Sequence, residues 1–213
     1  MTDGSIESGL AHYLSVGIAE GRDGFAPGAT VRGQEGILDT VFYSGNRDDY
    51  IASGLSSTIT VTNSLTGGTP DTLVSIERIQ FSDGALALDI SGNAGQTYRL
   101  YQAAFDRTPD TPGLAHNLNL LDTVITLHDL SNGFIASAEF IALYGADSSN
   151  TTFLTALYAN VLDRAPDTAG FNGWNDLLVS GQLDRADVLI GFSESPENIA
   201  LVGVAIENGI FLG

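Results

Sequence analysis

Cysteine and lysine are both absent from this chain of 213 residues. Without cysteine there is no disulfide, no thiolate metal site and no cysteine nucleophile. All eight basic residues are arginine, and they stand against 26 Asp and Glu, for a formal net charge of -18. A protein that engages nucleic acid or an anionic membrane needs a basic face, which this composition does not supply. No apolar run approaches the about 18 residues that a membrane span requires, so membrane insertion is not expected. The first twenty residues lack a positively charged start and an apolar core, so a cleaved secretory signal is not expected either. What is present is an ordinary globular balance, 43% hydrophobic and 16% charged.

Periodicity divides the chain into three blocks and predicts an α+β fold. In 1–28, Ile6, Leu10, Tyr13, Leu14 and Ile18 recur at helical spacing, and Glu20-Gly21 ends the run before a linker at Gly24, Pro27 and Gly28. In 29–94 the period falls to two. Val41-Phe42-Tyr43, Ile59 to Thr62, Ile76 to Phe81 and Ala85 to Leu88 read as short strands separated by Gly45-Asn46 and Ser82-Asp83-Gly84 turns. These strands predict one small antiparallel sheet.

Residues 95–213 return to helical periodicity and contain a duplication, with copies over 98–145 and 153–213. Aligning Leu100-Tyr101 with Leu157-Tyr158 gives eight identities over the seventeen positions 98–114 and 155–171. Asp106, Arg107, Pro109, Asp110 and Gly113 fall on Asp163, Arg164, Pro166, Asp167 and Gly170. Glu139 falls on Glu197, whereas Trp174 falls on Asn117. Such repetition marks a supersecondary unit whose copies bury their apolar faces on one another. Each copy reads as a helix, a tight loop, a second helix, a turn and a capped third helix. Asp167 is placed as an N-cap, and Ser195-Pro196-Glu197 has the order of a helix start. Recurrence of the charged pairs predicts that Arg164 bonds Glu197 and Arg107 bonds Glu139, tying each loop to the last helix of its copy. A ligand clamp is the sharper alternative for the same residues.

Catalytic patterns are weak. The histidines are His12, His116 and His128, with no i, i+4 pair for a helical zinc site and no G-x-S-x-G elbow. His116 and His128 read as surface or cap residues. No cofactor is required by any pattern, and no catalytic residue is assigned. Calcium is the metal the residues favour: Gly67-Gly68-Thr69-Pro70-Asp71-Thr72-Leu73 resembles one degenerate calcium-roll turn, which makes Asp71 a candidate, and the repeated loops offer Asp110 and Asp167.

The stretch from Leu157-Tyr158 through Asp163-Arg164, Pro166-Asp167 and Gly170 to Trp174, with Gly191-Phe192 and Ser195-Pro196-Glu197-Asn198, resembles the domain-of-unknown-function 4214 family. The block from Tyr43 and Gly45-Asn46 through Asp71, Ile76-Glu77-Arg78 and Phe81 to Asp83-Gly84 is similar to the β module beside calcium repeats in type I secreted proteins. The resemblance implies export through a type I channel without a cleaved N-terminal signal, and an extracellular or cell-surface location, with the cytoplasm as runner-up. It implies a non-enzymatic role in adhesion, assembly or polysaccharide binding, with a surface polysaccharide or surface protein as partner. Two rivals remain: a carriage domain for a fused passenger, and a glycan-active enzyme using two carboxylates roughly 5–9.5 Å apart.

Overall fold

The computed structural model describes residues 28–34, 36–55 and 57–213, which divide into two compact units. The helix expected at Ile6 to Ile18 lies outside the described residues. The α+β class is as expected.

The first unit holds two four-stranded sheets where one was expected. One sheet runs in the order β1 (Thr30–Arg32), β5 (Asp71–Val74), β4 (Thr58–Asn63), β3 (Tyr50–Leu55); the other runs β2 (Thr40–Phe42), β6 (Arg78–Phe81), β7 (Gly84–Ala87), β8 (Ile210–Leu212). Each is mixed rather than antiparallel. β1 pairs parallel to β5 with Val31 opposite Leu73, and β2 pairs parallel to β6 with Val41 opposite Ile79. The chain therefore crosses from one sheet to the other twice in the same sense, with the β3–β4 hairpin inserted between the two passages. Parallel strands need such a crossover, and here short loops between sheets supply it.

Alternation along the strands gives each sheet one buried face. Val31, Val41, Val61, Leu73, Ile79, Phe81 and Leu86 fill the shared core. Tyr43, Tyr50 and Phe81 cluster within it at centroid separations of 4.9, 5.4 and 6.0 Å. β8 contributes the buried Ile210, so the last residues belong with the sheets. This corrects the assignment of all of 95–213 to the helical domain.

The second unit, Ile90 to Glu207, contains eight α-helices. They are α1 (Asn93–Phe105), α2 (Thr111–Thr123), α3 (Leu127–Ile135), α4 (Ala138–Tyr144), α5 (Asn150–Leu162), α6 (Thr168–Ser180), α7 (Arg185–Ser193) and α8 (Pro196–Ile206). Each copy thus has four helices rather than three; α3 and α7 are the additions. Each is nine residues long, which leaves its periodicity little room to show beside the longer helices. α1 and α5 carry the most buried stripes, including Leu100, Tyr101, Phe105, Phe153, Leu157 and Tyr158. α3 packs on α7, its own equivalent in the other copy, where the Ser131 hydroxyl donates to the Ala186 carbonyl at 3.1 Å.

Candidate functional site

The duplicated motif folds the same way twice. Asp106 and Asp163 end α1 and α5 in the left-handed conformation, with φ of 50° and 49°. Asp tolerates this region better than most residues, because its short polar side chain can bond locally. The turn sends the following arginine back over its own helix. Arg107 lies 5.0 Å above the Tyr101 ring, and Arg164 lies 4.9 Å above Tyr158.

Both guanidinium groups then grip a carboxylate with two parallel bonds. Arg107 donates from Nε to Glu139 at 2.6 Å and from Nη2 at 3.2 Å; Arg164 donates to Glu197 at 2.7 and 3.0 Å. The glutamate bond raises each arginine's proton affinity further. Arg164 in turn holds the Glu197 carboxyl below its ordinary range. The expected pairs therefore form in both copies.

Pro109 and Pro166 sit in the loops, and the next residue caps the second helix. Asp110 accepts from the Gly113 amide, and Asp167 from the Gly170 amide, each at 2.8 Å. Those amide bonds are the first cause of the lowered proton affinity of both carboxyls. Glycine at these places is steric. A Cβ at Gly113 would lie 3.2 Å from the Tyr101 hydroxyl and 2.9 Å from Asp110, and at Gly170 it would overlap the Tyr158 hydroxyl. Trp174 is partly buried, 5.5 Å from the Phe192 ring.

The three calcium candidates are not brought together. Asp71 lies in the β unit, where its carboxylate accepts from the amides of Gly28 and Ala29 and from the Tyr43 hydroxyl. Asp110 also accepts from the Tyr101 hydroxyl at 2.9 Å, and Asp167 from Arg164 at 3.4 Å.

Two features were not visible in the sequence. Arg99 on α1 is 3% exposed and bonds Glu194 through Nε and Nη2 at 2.8 and 2.6 Å, with Nη1 donating to the Ile90 carbonyl. The pair borders a cavity of about 170 Å3 with Ser91, Ile199, Gly203 and Ile206. A second, shallow hollow beside Asp163, Arg164 and Pro166 also has a single carboxylate on its wall. The other feature lies where α3 meets the start of α7. There His128 Nε2 stands 3.0 Å from Asp184 Oδ2 and 3.6 Å from Asp187 Oδ1. Among the described residues, these three form the group whose donor atoms are close enough to share an ion, all within 4.8 Å of one another. No local signal could have found it, because the histidine is 56 residues from its nearest partner.

A family profile described as a domain of unknown function, DUF4214, matches residues 93–143 and 131–202, so the two matches together span just over half of the chain. No curated protein and no solved structure matches.

Proposed function

The chain belongs to the DUF4214 family, and from that premise we propose that it is a non-enzymatic module, exported to the cell surface, that acts by binding. One observation carries the reading. The arginines and glutamates that the two copies share form two bidentate staples, and Asp110 and Asp167 cap helices. Chemistry needs groups aimed at a substrate, and these are aimed at the protein's own backbone and side chains. The two cavities described above carry one carboxylate each, which disfavours glycan cleavage by a carboxylate pair.

The absence of lysine and cysteine fits export by a type I route. A surface polysaccharide is the first ligand to try, and a surface protein the second. The test is to incubate the purified chain with bacterial cells and with their isolated surface polysaccharide. Sedimentation of the chain with either, without new reducing ends, is the expected result. Release of reducing ends would replace this reading by the enzymatic one. Failure to bind either material, together with export of a heterologous passenger, would replace it by carriage.

A further inference from the structure

We propose that His128, Asp184 and Asp187 form a binding site for one divalent first-row transition ion, with zinc as the foremost occupant. The site lies between α3 and the first turn of α7, in the helical unit.

The two aspartates serve as a capping box, and that role accounts for only one oxygen of each. Asp184 Oδ1 accepts from the Asp187 amide at 2.9 Å, and Asp187 Oδ2 accepts from the Asp184 amide at 3.0 Å. The oxygens left over, Asp184 Oδ2 and Asp187 Oδ1, are the ones that converge on the imidazole. Capping therefore orients the carboxylates without using up their ligand atoms.

The other copy shows what a cap alone requires. Its equivalent capping box is Thr126 and Asp129, and the residue equivalent to His128 is Ala186. Asp129 Oδ2 accepts from both the Thr126 amide and its hydroxyl, at 2.9 and 2.6 Å. That helix starts with one carboxylate, and the histidine in its first turn, His128, reaches across to the start of α7. The second copy instead has a carboxylate at the N-cap, another at the third position and an imidazole facing both.

The spacing suits an ion. Donor atoms about 2.1 Å from a metal lie about 3.0–3.5 Å apart when they are neighbours in octahedral or tetrahedral coordination. The two distances from the imidazole nitrogen are 3.0 and 3.6 Å. Asn132, one turn along α3, places its amide nitrogen Nδ2 3.1 Å from the far ring nitrogen Nδ1, and turning that amide over exchanges the nitrogen for its oxygen. An amide there can present its oxygen to Nδ1–H, which leaves the Nε2 lone pair for the metal; such outer support is usual for ligating histidines. Arg185 is directed elsewhere, onto Ser148 and the Phe153 ring, so no cation competes from within the cap.

The donor set decides the class of ion. One imidazole and two carboxylates suit zinc, manganese or cobalt, whereas calcium and magnesium prefer oxygen alone. Three protein ligands leave a position open to water, and His128 and Asp187 are only part-buried. The chain's net charge of -18 adds a general attraction for any cation, so the test must separate specific from diffuse binding.

The full chain is stripped with a chelator and titrated with zinc by calorimetry, and with cobalt by visible absorption, in millimolar magnesium. One saturable site per chain is expected. Asp184→Asn keeps a good N-cap but turns an amide nitrogen toward the histidine. Both Asp184→Asn and His128→Gln should weaken zinc binding by about tenfold or more, and Asn132→Ala by about tenfold. His116→Ala controls for the exposed histidine elsewhere and should bind like the parent. Unchanged thermal melting of each variant in chelator confirms that it folds. The inference is overturned if His128→Gln or Asp184→Asn binds zinc as the parent does, if magnesium displaces it freely, or if no saturable site is detected.

Discussion

Gly133 and Gly191 occupy equivalent places in α3 and α7, yet their surroundings differ because Trp174 in one copy is Asn117 in the other. A Cβ at Gly191 would lie 2.5 Å from the Trp174 ring, whereas a Cβ at Gly133 would meet nothing within 4 Å. A rigid indole cannot move aside as a flexible chain end can. Gly191→Ala should therefore destabilise the helical unit by about 1–3 kcal/mol through overpacking. Gly133→Ala should stabilise it by about 0.5–1 kcal/mol, since alanine loses less backbone entropy in a helix. Urea denaturation followed by the fluorescence of Trp174, the single tryptophan, measures both; equal effects would refute the steric account. At Glu194 the argument concerns charge. Arg99 is almost fully buried, and Glu194→Ala leaves its guanidinium without the paired carboxylate. A loss of about 3 kcal/mol is expected, the low end for a broken buried pair because the Glu194 side chain is 22% exposed.

Among the elements, the helix starts set the acid limit. Asp110, Asp129 and Asp167 cap or complete the first turns of α2, α3 and α6, and each has its carboxyl below the ordinary 3.8. The causes are the Gly113 amide for Asp110, the Thr126 side chain for Asp129 and the Gly170 amide for Asp167. A carboxyl whose folded affinity for protons is depressed adds stability above its unfolded pKa, and that stability is lost as pH falls through the folded value. Melting temperature should therefore hold nearly level from pH 7 to about pH 5 and drop below about pH 4. Asp167→Asn, which still caps, should flatten part of that drop. An unchanged acid profile in this variant would exclude the cap as a source.

The same elements show what could be read in advance. The Asp caps lie within three residues of their amides, and the Arg–Glu staples, though 32 and 33 residues long, are written twice, so the repeat exposes both. β1 and β5 were not legible. Each is three or four residues long, and the partner of Thr30 is Thr72, a pairing that only the folded core selects. Asp71 to Leu73 read as part of a calcium-like turn because a strand of four residues gives periodicity little room to show. The His128 cluster was hidden for a related reason: its parts lie in different copies, and of the three only Asp187 has a like residue, Asp129, at its place in the repeat.

For the whole molecule, chain order and spatial order disagree at the C-terminus. The helical unit is inserted between β7 and β8, so the sheet that contains β2 is completed only by the last residues of the chain. β8 pairs antiparallel to β7 with Ile210 opposite Ala87 and Leu212 opposite Ala85. Ile210 is 5% exposed, and full burial of such a side chain is worth about 1.5–3 kcal/mol before the lost ladder bonds are counted. Ending the chain at Glu207 should lower the stability of the β unit by at least that amount. The helical unit, which runs from Ile90 to Glu207, keeps all of its own residues. Trp174 reports on that unit alone, while far-ultraviolet dichroism reports on both. The truncated chain should show an earlier loss of dichroism at strand wavelengths with the tryptophan transition unmoved. If the two signals instead shifted together, the units would unfold as one cooperative body, and the insertion would couple them rather than merely interrupt the sheet.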